Sequence, residues 1–495
     1  MPNADVLRRA PAFPAELAWF NTRRALALAD LRGKFVLLHH FTAGAIATVH
    51  DRSALAELAR RFAEELVVVG VHVPKFGHER DPRELRAALP RLGIEHAVVH
   101  DADGALAELL GVRATPTLVL VDPLGFVLGA LEGEVDAREL APLLERLIHE
   151  RAKKCELSYE PIATAPERAR DPDRALDHPS KLLVASETTL FLADTGRHRV
   201  LELDYEHATK RAHVVRVFGG GGEGWHDAPG PDARFRSPRG LARRGRTLYV
   251  ADAGNHAVRA IDLVVGDVRT LAGTGAKAEH RPRVAAPPAE TALRSPWALF
   301  VDRPNLHVAM AGSRQVWKLE DERALHPFAG NGREALVDGF APQASFGAPC
   351  DLASDGRQLF VVDAQASAVR AIDLAGKPTV RTLVGCGLGE WGDQDGVGDA
   401  ARLQRPMGLA FDGLLLVADS YNHKVKRVDP ATREVRTLAG TGERGHEDGS
   451  VGVARFANPE GVAVRNHLVF VVDTDNHALR VIELGRLAVH TIELG

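Results

Sequence analysis

Apolar runs alternate with amphipathic segments through the first third of the chain. The apolar runs predict buried strands, at 34–41, 65–73, 97–101 and, as two strands joined by a Pro-Leu-Gly turn, 115–133. The segments between them have the apolar spacing of helices, at 53–65, 81–93, 104–112 and 134–148. Strands that alternate with helices are typical of an α/β sheet covered on both faces. We therefore predict an α/β domain over residues 1–152.

The segment LGVRATPTLVLVDPLGFVLGALEG (110–133) resembles the thioredoxin fold, especially its thiol-oxidoreductase and peroxiredoxin-like members. The resemblance implies a cis-proline at Pro116 and places the family's Cys-x-x-Cys at positions 45–48. Ala45 and Thr48 stand where the two cysteines would be, and His39 stands where the family has a buried acid that assists proton transfer.

The missing cysteines decide what chemistry we expect of this domain. Dithiol exchange needs an attacking thiolate at a helix N-terminus and a second sulfur that resolves the mixed disulfide. Ala45 and Thr48 supply neither, so we expect no thiol–disulfide activity there. The resemblance still implies a backbone platform beside Pro116 that can hold an extended peptide. The alternative is that Pro116 only shapes a turn needed for folding.

After a polar, proline-containing stretch at 153–177, predicted to be an extended linker, the chain repeats itself. Six times, a proline and a short apolar strand precede a strand–turn–strand unit, and a further strand follows. The turn position recurs every 53–58 residues, as Asp194, Asp252, Met310, Asp363, Asp419 and Asp473. Four strands per unit at this period indicate a β-propeller. We predict an all-β, six-bladed propeller over residues 178–495.

The repeated turns resemble the NHL repeat, whose motif is Asp-x-x-Asn-His before an apolar residue. The Asn-His pair is intact in three units, at Asn255-His256, Asn422-His423 and Asn476-His477. We expect the Asp to accept hydrogen bonds from backbone N–H groups one or two residues on. The Asn is expected to adopt left-handed dihedrals, and the His to bridge to the neighbouring blade. These turn residues are therefore interpreted as structural.

The long connections between blades share a face with these turns, and we predict that this face binds a partner. Rigid scaffolds commonly present recognition residues on such loops. Two loop tryptophans, Trp225 and Trp391, are candidate anchors, although each can instead cover a blade edge. The residue after each proline is expected to border the central channel, which gives a ring of Arg239, Trp297, Cys350, Met407 and Glu460.

Composition narrows the possible classes of function. The 495 residues are 45% hydrophobic and 26% charged with a net charge of −4, and neither part of the chain has the basic excess of a nucleic-acid-binding protein. DNA is therefore not an expected partner, and RNA is disfavoured. Three widely spaced cysteines suit a reducing compartment. No apolar run is long enough for a signal peptide or a membrane span, so we expect a cytoplasmic protein.

Sequence motifs for cofactors and metals are absent. The glycine-rich segments lack the spacing of nucleotide-binding loops, and Asp393, Asp395 and Asp399 lack the pattern of a calcium loop. The inner strands share no set of Asp, Glu, Asn and His residues that would hold a metal in the channel. We expect neither a cofactor nor a metal.

A thioredoxin-like domain followed by a propeller resembles the NHL-repeat-containing proteins of that organisation, and NHL propellers generally bind proteins. The leading hypothesis is a non-catalytic binding protein with a protein partner on the propeller face and a redox-inactive docking domain. One alternative is a metal-assisted hydrolase or lyase in the channel, with Glu460 and His226 or His446 as ligands. Another is a thiol–disulfide oxidoreductase that uses a non-standard cysteine, such as Cys155.

Overall fold

The computed structural model describes residues 8–167, 174–279 and 287–495. The chain divides into two compact units, Met1–Asp171 and Pro172–Gly495. The first unit is α/β and the second is built almost entirely of β-strands, so both predicted fold classes are confirmed. Within the described residues, no helix has the length and apolar character needed to cross a membrane.

Within its described residues, 8–167, the first unit contains one six-stranded sheet and four α-helices. Its strands are β1 (Ala18–Phe20), β2 (Phe35–Phe41), β3 (Leu66–His72), β4 (Ala97–His100), β5 (Thr117–Val121) and β6 (Val127–Glu132). Its helices are α1 (Ile46–Arg61), α2 (Pro82–Leu92), α3 (Ala105–Leu110) and α4 (Ala137–Ala152). The strand order is β1-β4-β3-β2-β5-β6. The three central strands β2, β3 and β4 are parallel, and β5 and β6 form the predicted antiparallel edge.

Helices cover both faces of this sheet, as the sequence predicts. On one face Phe35 and Leu37 of β2 pack with α1 and α4, and Phe41 packs with α2. On the other face Val36 and Leu38 pack with α3. Because both faces are covered, every residue of β2 is buried, and this strand leads directly to the start of α1.

Two elements of the first unit differ from the predictions. Helix α1 begins at Ile46, before the predicted start at residue 53. The prediction missed the first two turns because they bury the polar residues Thr48 and Asp51 and therefore show no continuous apolar stripe. Strand β1 is absent from the predicted elements, since three residues are too few to show an alternation. Helix α2 begins as expected, with Asp81 accepting a hydrogen bond from Arg83 N at 2.8 Å.

The stretch predicted to be a linker packs against the units in its described parts. Ser158 N donates to Gly33 O at 2.9 Å, and Ala165 N donates to Asn21 O at 2.8 Å, which attaches the stretch up to residue 167 to the first unit. Leu176 is buried in the core of the second unit. Residues 168–173 lie outside the described residues.

In the part of the chain that the structure describes, the second unit forms two four-stranded sheets, two five-stranded sheets and one nine-stranded sheet, and the nine-stranded sheet contains both the first and the last repeat, here called blades 1 and 6. The strands of blades 1 to 3 are β7 (Lys181–Val184), β8 (Thr189–Asp194), β9 (Arg199–Glu206), β10 (Arg211–Gly219), β11 (Pro238–Arg244), β12 (Thr247–Asp252), β13 (Ala257–Asp262), β14 (Val268–Ala272), β15 (Pro296–Asp302), β16 (Asn305–Met310), β17 (Gln315–Glu320) and β18 (Ala324–Ala329).

Blades 4 to 6 each gain a two-residue strand beside the outer strand. Their strands are β19 (Gly339–Phe340), β20 (Pro349–Ser354), β21 (Gln358–Asp363), β22 (Ala368–Asp373), β23 (Thr379–Val384), β24 (Gly396–Val397), β25 (Gly408–Asp412), β26 (Leu414–Asp419), β27 (Lys424–Val428), β28 (Glu434–Ala439), β29 (Gly449–Ser450), β30 (Pro459–Arg465), β31 (Leu468–Asp473), β32 (Ala478–Glu483) and β33 (Ala488–Leu494).

Apolar clusters hold neighbouring blades together. Each of six clusters joins side chains of two adjacent blades, including blades 6 and 1, where Phe470 and Val472 pack with Leu192 and Leu203. Blades 6 and 1 are also joined at their outer strands, where β33 pairs with β10 in parallel. A large-to-small change in such a cluster costs about 2–5 kcal/mol, so these junctions are a principal source of stability.

Candidate functional site

The positions of the missing cysteines lie at the N-terminus of α1. Ala45 is the N-cap residue, and Thr48 in the first turn is buried. Thr48 Oγ1 donates to Thr42 O at 2.7 Å, and Thr42 Oγ1 lies 3.1 Å from Thr115 Oγ1. The Thr115–Pro116 peptide bond is cis, as the sequence predicts. The scaffold of a thioredoxin-type site is therefore present without its sulfur atoms.

A buried carboxylate binds the backbone amide next to the N-cap of α1. Glu79 Oε1 accepts a hydrogen bond from Gly44 N at 2.6 Å, and Glu79 Oε2 accepts from Lys75 N at 2.8 Å and Phe76 N at 3.2 Å. A helix N-terminus favours negative charge, which is why it stabilises a thiolate in thiol oxidoreductases. In this chain the negative charge near the helix start belongs to Glu79.

A second buried acid contacts the strand position where the family has its acid. Asp51 on α1 is fully buried, with Oδ2 3.0 Å from His39 Nε2 and Oδ1 accepting from Val135 N at 2.7 Å. The strand itself has no acid at His39, and the buried carboxylate beside it belongs to the helix. The burial of Asp51 could have been predicted from the sequence, because Asp51 precedes the buried Leu55 by four residues and so lies on the same face of the helix.

These contacts leave the thioredoxin-type site without a nucleophile. The Thr48 hydroxyl is buried and bonded to a backbone carbonyl, and its pKa is intrinsically far above that of a thiol. The nearest cysteine in the sequence, Cys155, is exposed and follows α4. The thiol positions of a thioredoxin-type site are therefore occupied by a methyl group and a bonded hydroxyl.

In the second unit, the repeated Asp residues hold each turn to the segment that precedes its blade. Each is fully buried and accepts a backbone N–H from 15–17 residues earlier in the chain; they are Asp194, Asp252, Asp363, Asp419 and Asp473. The predicted acceptance from one or two residues on is therefore wrong. Burial raises the pKa of Asp252 and Asp473 to about 6 and that of Asp419 to about 7.

In four of the blades the motif histidine joins the blade to the next, as the sequence predicts. The residue before the next proline donates its backbone N–H to the histidine Nδ1 at 3.0–3.1 Å, from Ser237 to His198, Ser295 to His256, Asn458 to His423 and His178 to His477. These histidines have φ of 50–55°, so the left-handed residue is the His, and the role predicted for the Asn is wrong. The Asn side chain instead donates to a loop carbonyl, as Asn255 Nδ2 does to Gly224 O at 2.7 Å.

A buried cation completes the turn in four blades, and the sequence analysis missed it. Arg259 is fully buried and contacts Asp252 at 3.0 Å and Asp227 of the preceding loop. The same position, seven residues after the turn Asp, holds Arg370, Lys426 and Arg480. The recurring basic residue is visible in the sequence, but its pairing with two separate carboxylates is not. Each of these four turns is therefore held together by a buried ion pair.

Among the predicted ring residues, Arg239 contacts two others. Arg239 Nη1 donates to Glu460 Oε2 at 2.8 Å, and its guanidinium lies 3.9 Å from the ring centre of Trp297. Trp297, Cys350, Met407 and Glu460 are at most 2% exposed. Burial raises the pKa of the Cys350 thiol to about 12, which makes it unreactive at neutral pH. As placed, these four buried side chains contribute contacts within the propeller and little accessible surface.

A lysine and an aspartate from opposite blades cross the channel next to this ring. Lys181 Nζ donates to Asp351 Oδ2 at 2.8 Å, to Glu460 O at 3.0 Å and to Met407 O, and Asp351 Oδ2 also accepts from Leu409 N at 2.8 Å. The equivalent position after the proline is small in the other four blades, which leaves room for the pair: Gly240, Ala298, Gly408 and Gly461. The sequence analysis missed this pair.

A cavity of about 380 Å³ is lined by the inner strands of all six blades, with Lys181 and Asp351 among its lining residues. The three N–H donors of Lys181 are already matched by three acceptors, so the ammonium group is satisfied within the propeller. Among the described residues, Glu460, His226 and His446 are not brought together as metal ligands. The geometry therefore gives no support to the metal-assisted alternative in the channel.

The two loop tryptophans occupy different settings. Trp225 is 43% exposed, its indole N–H donates to Thr270 Oγ1 at 3.0 Å, and its ring lies against Gly275. A Cβ on Gly275 would overlap that ring, which requires glycine there. Trp391 is partly buried beside Gly392. Trp225 thus covers the edge of blade 2 and still presents a large apolar surface.

Comparison with known proteins decides the family. The family model of the NHL repeat matches residues 456–482, which cover most of blade 6. NHL repeat-containing protein 2 of Bos taurus is 35% identical over 514 residues, which are 96% of this chain and 70% of the bovine protein. This chain belongs to the NHL repeat-containing protein 2 family.

Relatives of this NHL repeat-containing protein differ in total length. Protein SUPPRESSOR OF QUENCHING 1, chloroplastic, of Arabidopsis thaliana is 36% identical over 498 residues, which are 96% of this chain and 47% of the plant protein. This chain therefore spans about half the length of the plant relative. A solved thioredoxin-like superfamily protein is 29% identical and covers 28% of this chain and 96% of its own, with a TM-score of 0.27.

Proposed function

We propose that this NHL repeat-containing protein is a non-catalytic binding protein. Its propeller takes a protein partner on the face of the long loops, and its thioredoxin-like domain is a redox-inactive docking module. The observation that carries the proposal is the redox site, where Ala45 and Thr48 replace both cysteines while the helix start and cis-Pro116 remain. A site without a sulfur nucleophile can hold a peptide backbone but cannot exchange disulfides.

Trp225 is the proposed anchor for the partner on the propeller. Its indole is held by the hydrogen bond to Thr270 and by contact with Gly275, and it remains 43% exposed. An aromatic side chain that is already fixed loses little conformational entropy on binding. The buried ring residues, such as Trp297 and Met407, would have to move before they could contact a partner.

Affinity capture tests this assignment. The tagged full-length protein is used to capture partners from its own cells with and without nuclease, and the captured proteins are identified by mass spectrometry. We expect Trp225→Ala to reduce capture at least tenfold, because loss of an aromatic anchor costs about 2 kcal/mol or more. Arg246→Ala, an exposed change at the far end of blade 2, should leave capture unchanged.

Equal capture by wild type and Trp225→Ala would contradict the anchor. A partner that disappears after nuclease treatment would point to RNA in place of a protein.

The redox-inactive part of the proposal has its own assay, insulin reduction with dithiothreitol. The wild type should match the uncatalysed rate, and activity that is lost in Cys155→Ser would contradict the proposal.

A further inference from the structure

The junction where blade 6 meets blade 1 gathers two imidazoles and a carboxylate. Asp177 Oδ1 lies 2.7 Å from His178 Nδ1 and 3.7 Å from His477 Nδ1. The two imidazole rings are 4.3 Å apart between centroids. One donor atom from each of the three residues lies within 4.8 Å of the other two. All three belong to the second unit, and two of them precede its first strand.

This set of side chains is specific to the closing junction. At five of the six junctions the residue before the proline has a left-handed backbone with φ of 43–50°, but the residue pairs differ. At the other five junctions these pairs are Arg236-Ser237, Arg294-Ser295, Gly347-Ala348, Gln404-Arg405 and Ala457-Asn458. Only Asp177-His178 adds a carboxylate and an imidazole to the motif histidine of the preceding blade. A purely structural bridge, such as Ser237 N to His198, needs neither.

Two histidines and one aspartate form a donor set that suits zinc and similar divalent ions. Ligands about 2.0–2.2 Å from a tetrahedral zinc lie about 3.3 Å from each other. The separations of 2.7 and 3.7 Å between Asp177 and the two histidines bracket that value, and the ligand atoms of His178 and His477 lie within 4.8 Å of each other. The fourth position would be taken by water.

The charges around these three residues also bear on this site. Asp475 favours a cation at His477 and Arg174 opposes it. Coordination through His477 Nδ1 would replace the hydrogen bond that it now accepts from His178 N at 3.0 Å.

We propose that Asp177, His178 and His477 form a zinc-class metal site that clamps the last blade to the first. Each blade is made of consecutive strands, so the ring closes through contacts between blades 6 and 1 and not through a shared strand. A metal bound to residues on both sides of this junction resists its opening, and the stabilisation grows with the logarithm of the free metal concentration once this exceeds the Kd.

The test uses the full-length protein after treatment with a chelator. Zn²⁺ is titrated calorimetrically, and Co²⁺ is added as a spectroscopic probe of tetrahedral coordination. We expect His178→Ser to bind one equivalent of Zn²⁺ fewer than the wild type, or to bind it at least 100-fold more weakly. Serine is the residue found before Pro238 and Pro296, so this variant keeps the backbone donor to His477.

A matched control and a second variant keep the test decisive. His256→Asn alters the equivalent histidine at another junction and should bind as much Zn²⁺ as the wild type. Zn²⁺ should raise the unfolding temperature of the wild type by a few degrees more than that of His178→Ser. If His178→Ser does not fold, Asp177→Asn takes its place. Equal Zn²⁺ stoichiometry, affinity and Co²⁺ spectra in the wild type and the variant would overturn the proposal.

Discussion

Ala45 and Thr48 stand where a thiol oxidoreductase has its two cysteines, and the sequence is sufficient to locate them. Their distance from the apolar strand before them and from the Thr-Pro pair is a local pattern. The contacts of the buried acids near these two residues could not be predicted in the same way. Glu79 reaches Gly44 from a separate segment, and Asp51 pairs with His39 across two elements, so neither contact follows from local spacing.

The double variant Ala45→Cys, Thr48→Cys should gain the ability to reduce insulin in the presence of dithiothreitol. Both sulfurs would lie at the start of α1 beside cis-Pro116, with Asp51 buried below, and a helix N-terminus lowers the pKa of a thiol. Ala45→Cys alone should form mixed disulfides without sustained turnover, because it lacks the resolving sulfur. A double variant that folds but has no activity would show that the scaffold is no longer competent.

At the scale of the elements, periodicity predicted most strands and helices, while the turns were predicted less well. The repeated Asp and His are visible in the sequence, and the bridging role of the His is confirmed. The left-handed residue was assigned to the Asn because residue preference alone favours it. The backbone places the His there, since that aims its imidazole at the next blade.

Two buried histidines, in and next to the strands of the first domain, should make its free energy of unfolding depend on pH. Burial lowers the pKa of His40 on β2 to about 4 and that of His96, just before β4, to about 3. Between pH 6.5 and about 4 the unfolded state binds protons that the folded state does not, so stability falls as the pH falls. Each histidine contributes about 1.4 kcal/mol per pH unit in that window.

Hydrogen exchange of β2 and β3 peptides in the full-length protein measures this effect, after correction for intrinsic exchange rates. Protection should decline steadily from pH 6.5 to 4.5. His40→Leu should reduce the slope by about one histidine's share and raise stability at pH 5, because neither ring nitrogen of His40 makes a regular hydrogen bond. Protection that is constant over this range would contradict the assigned histidine states.

At the scale of the whole molecule, the pair Lys181–Asp351 ties opposite blades together across the channel. Lys181→Met should destabilise the propeller by about 3–5 kcal/mol, because it leaves Asp351 buried without its cation. Lys181→Met, Asp351→Asn should recover a large part of that loss, since the amide oxygen can still accept from Leu409 N. Urea unfolding of both single variants and the double variant gives the coupling free energy. Additive effects would contradict a direct pair.

The sequence by itself determined the two fold classes, the six repeats, the loss of both redox cysteines and the position of the turn residues. All of these depend on patterns within a few dozen residues, where spacing alone decides which side chains face the core. Only the tertiary structure decided that Lys181 meets Asp351, that four of the predicted ring residues are buried, and that His178 meets His477. These contacts join residues 170 and 299 positions apart, and they exist because the blades close into a ring, a geometry that no single repeat encodes.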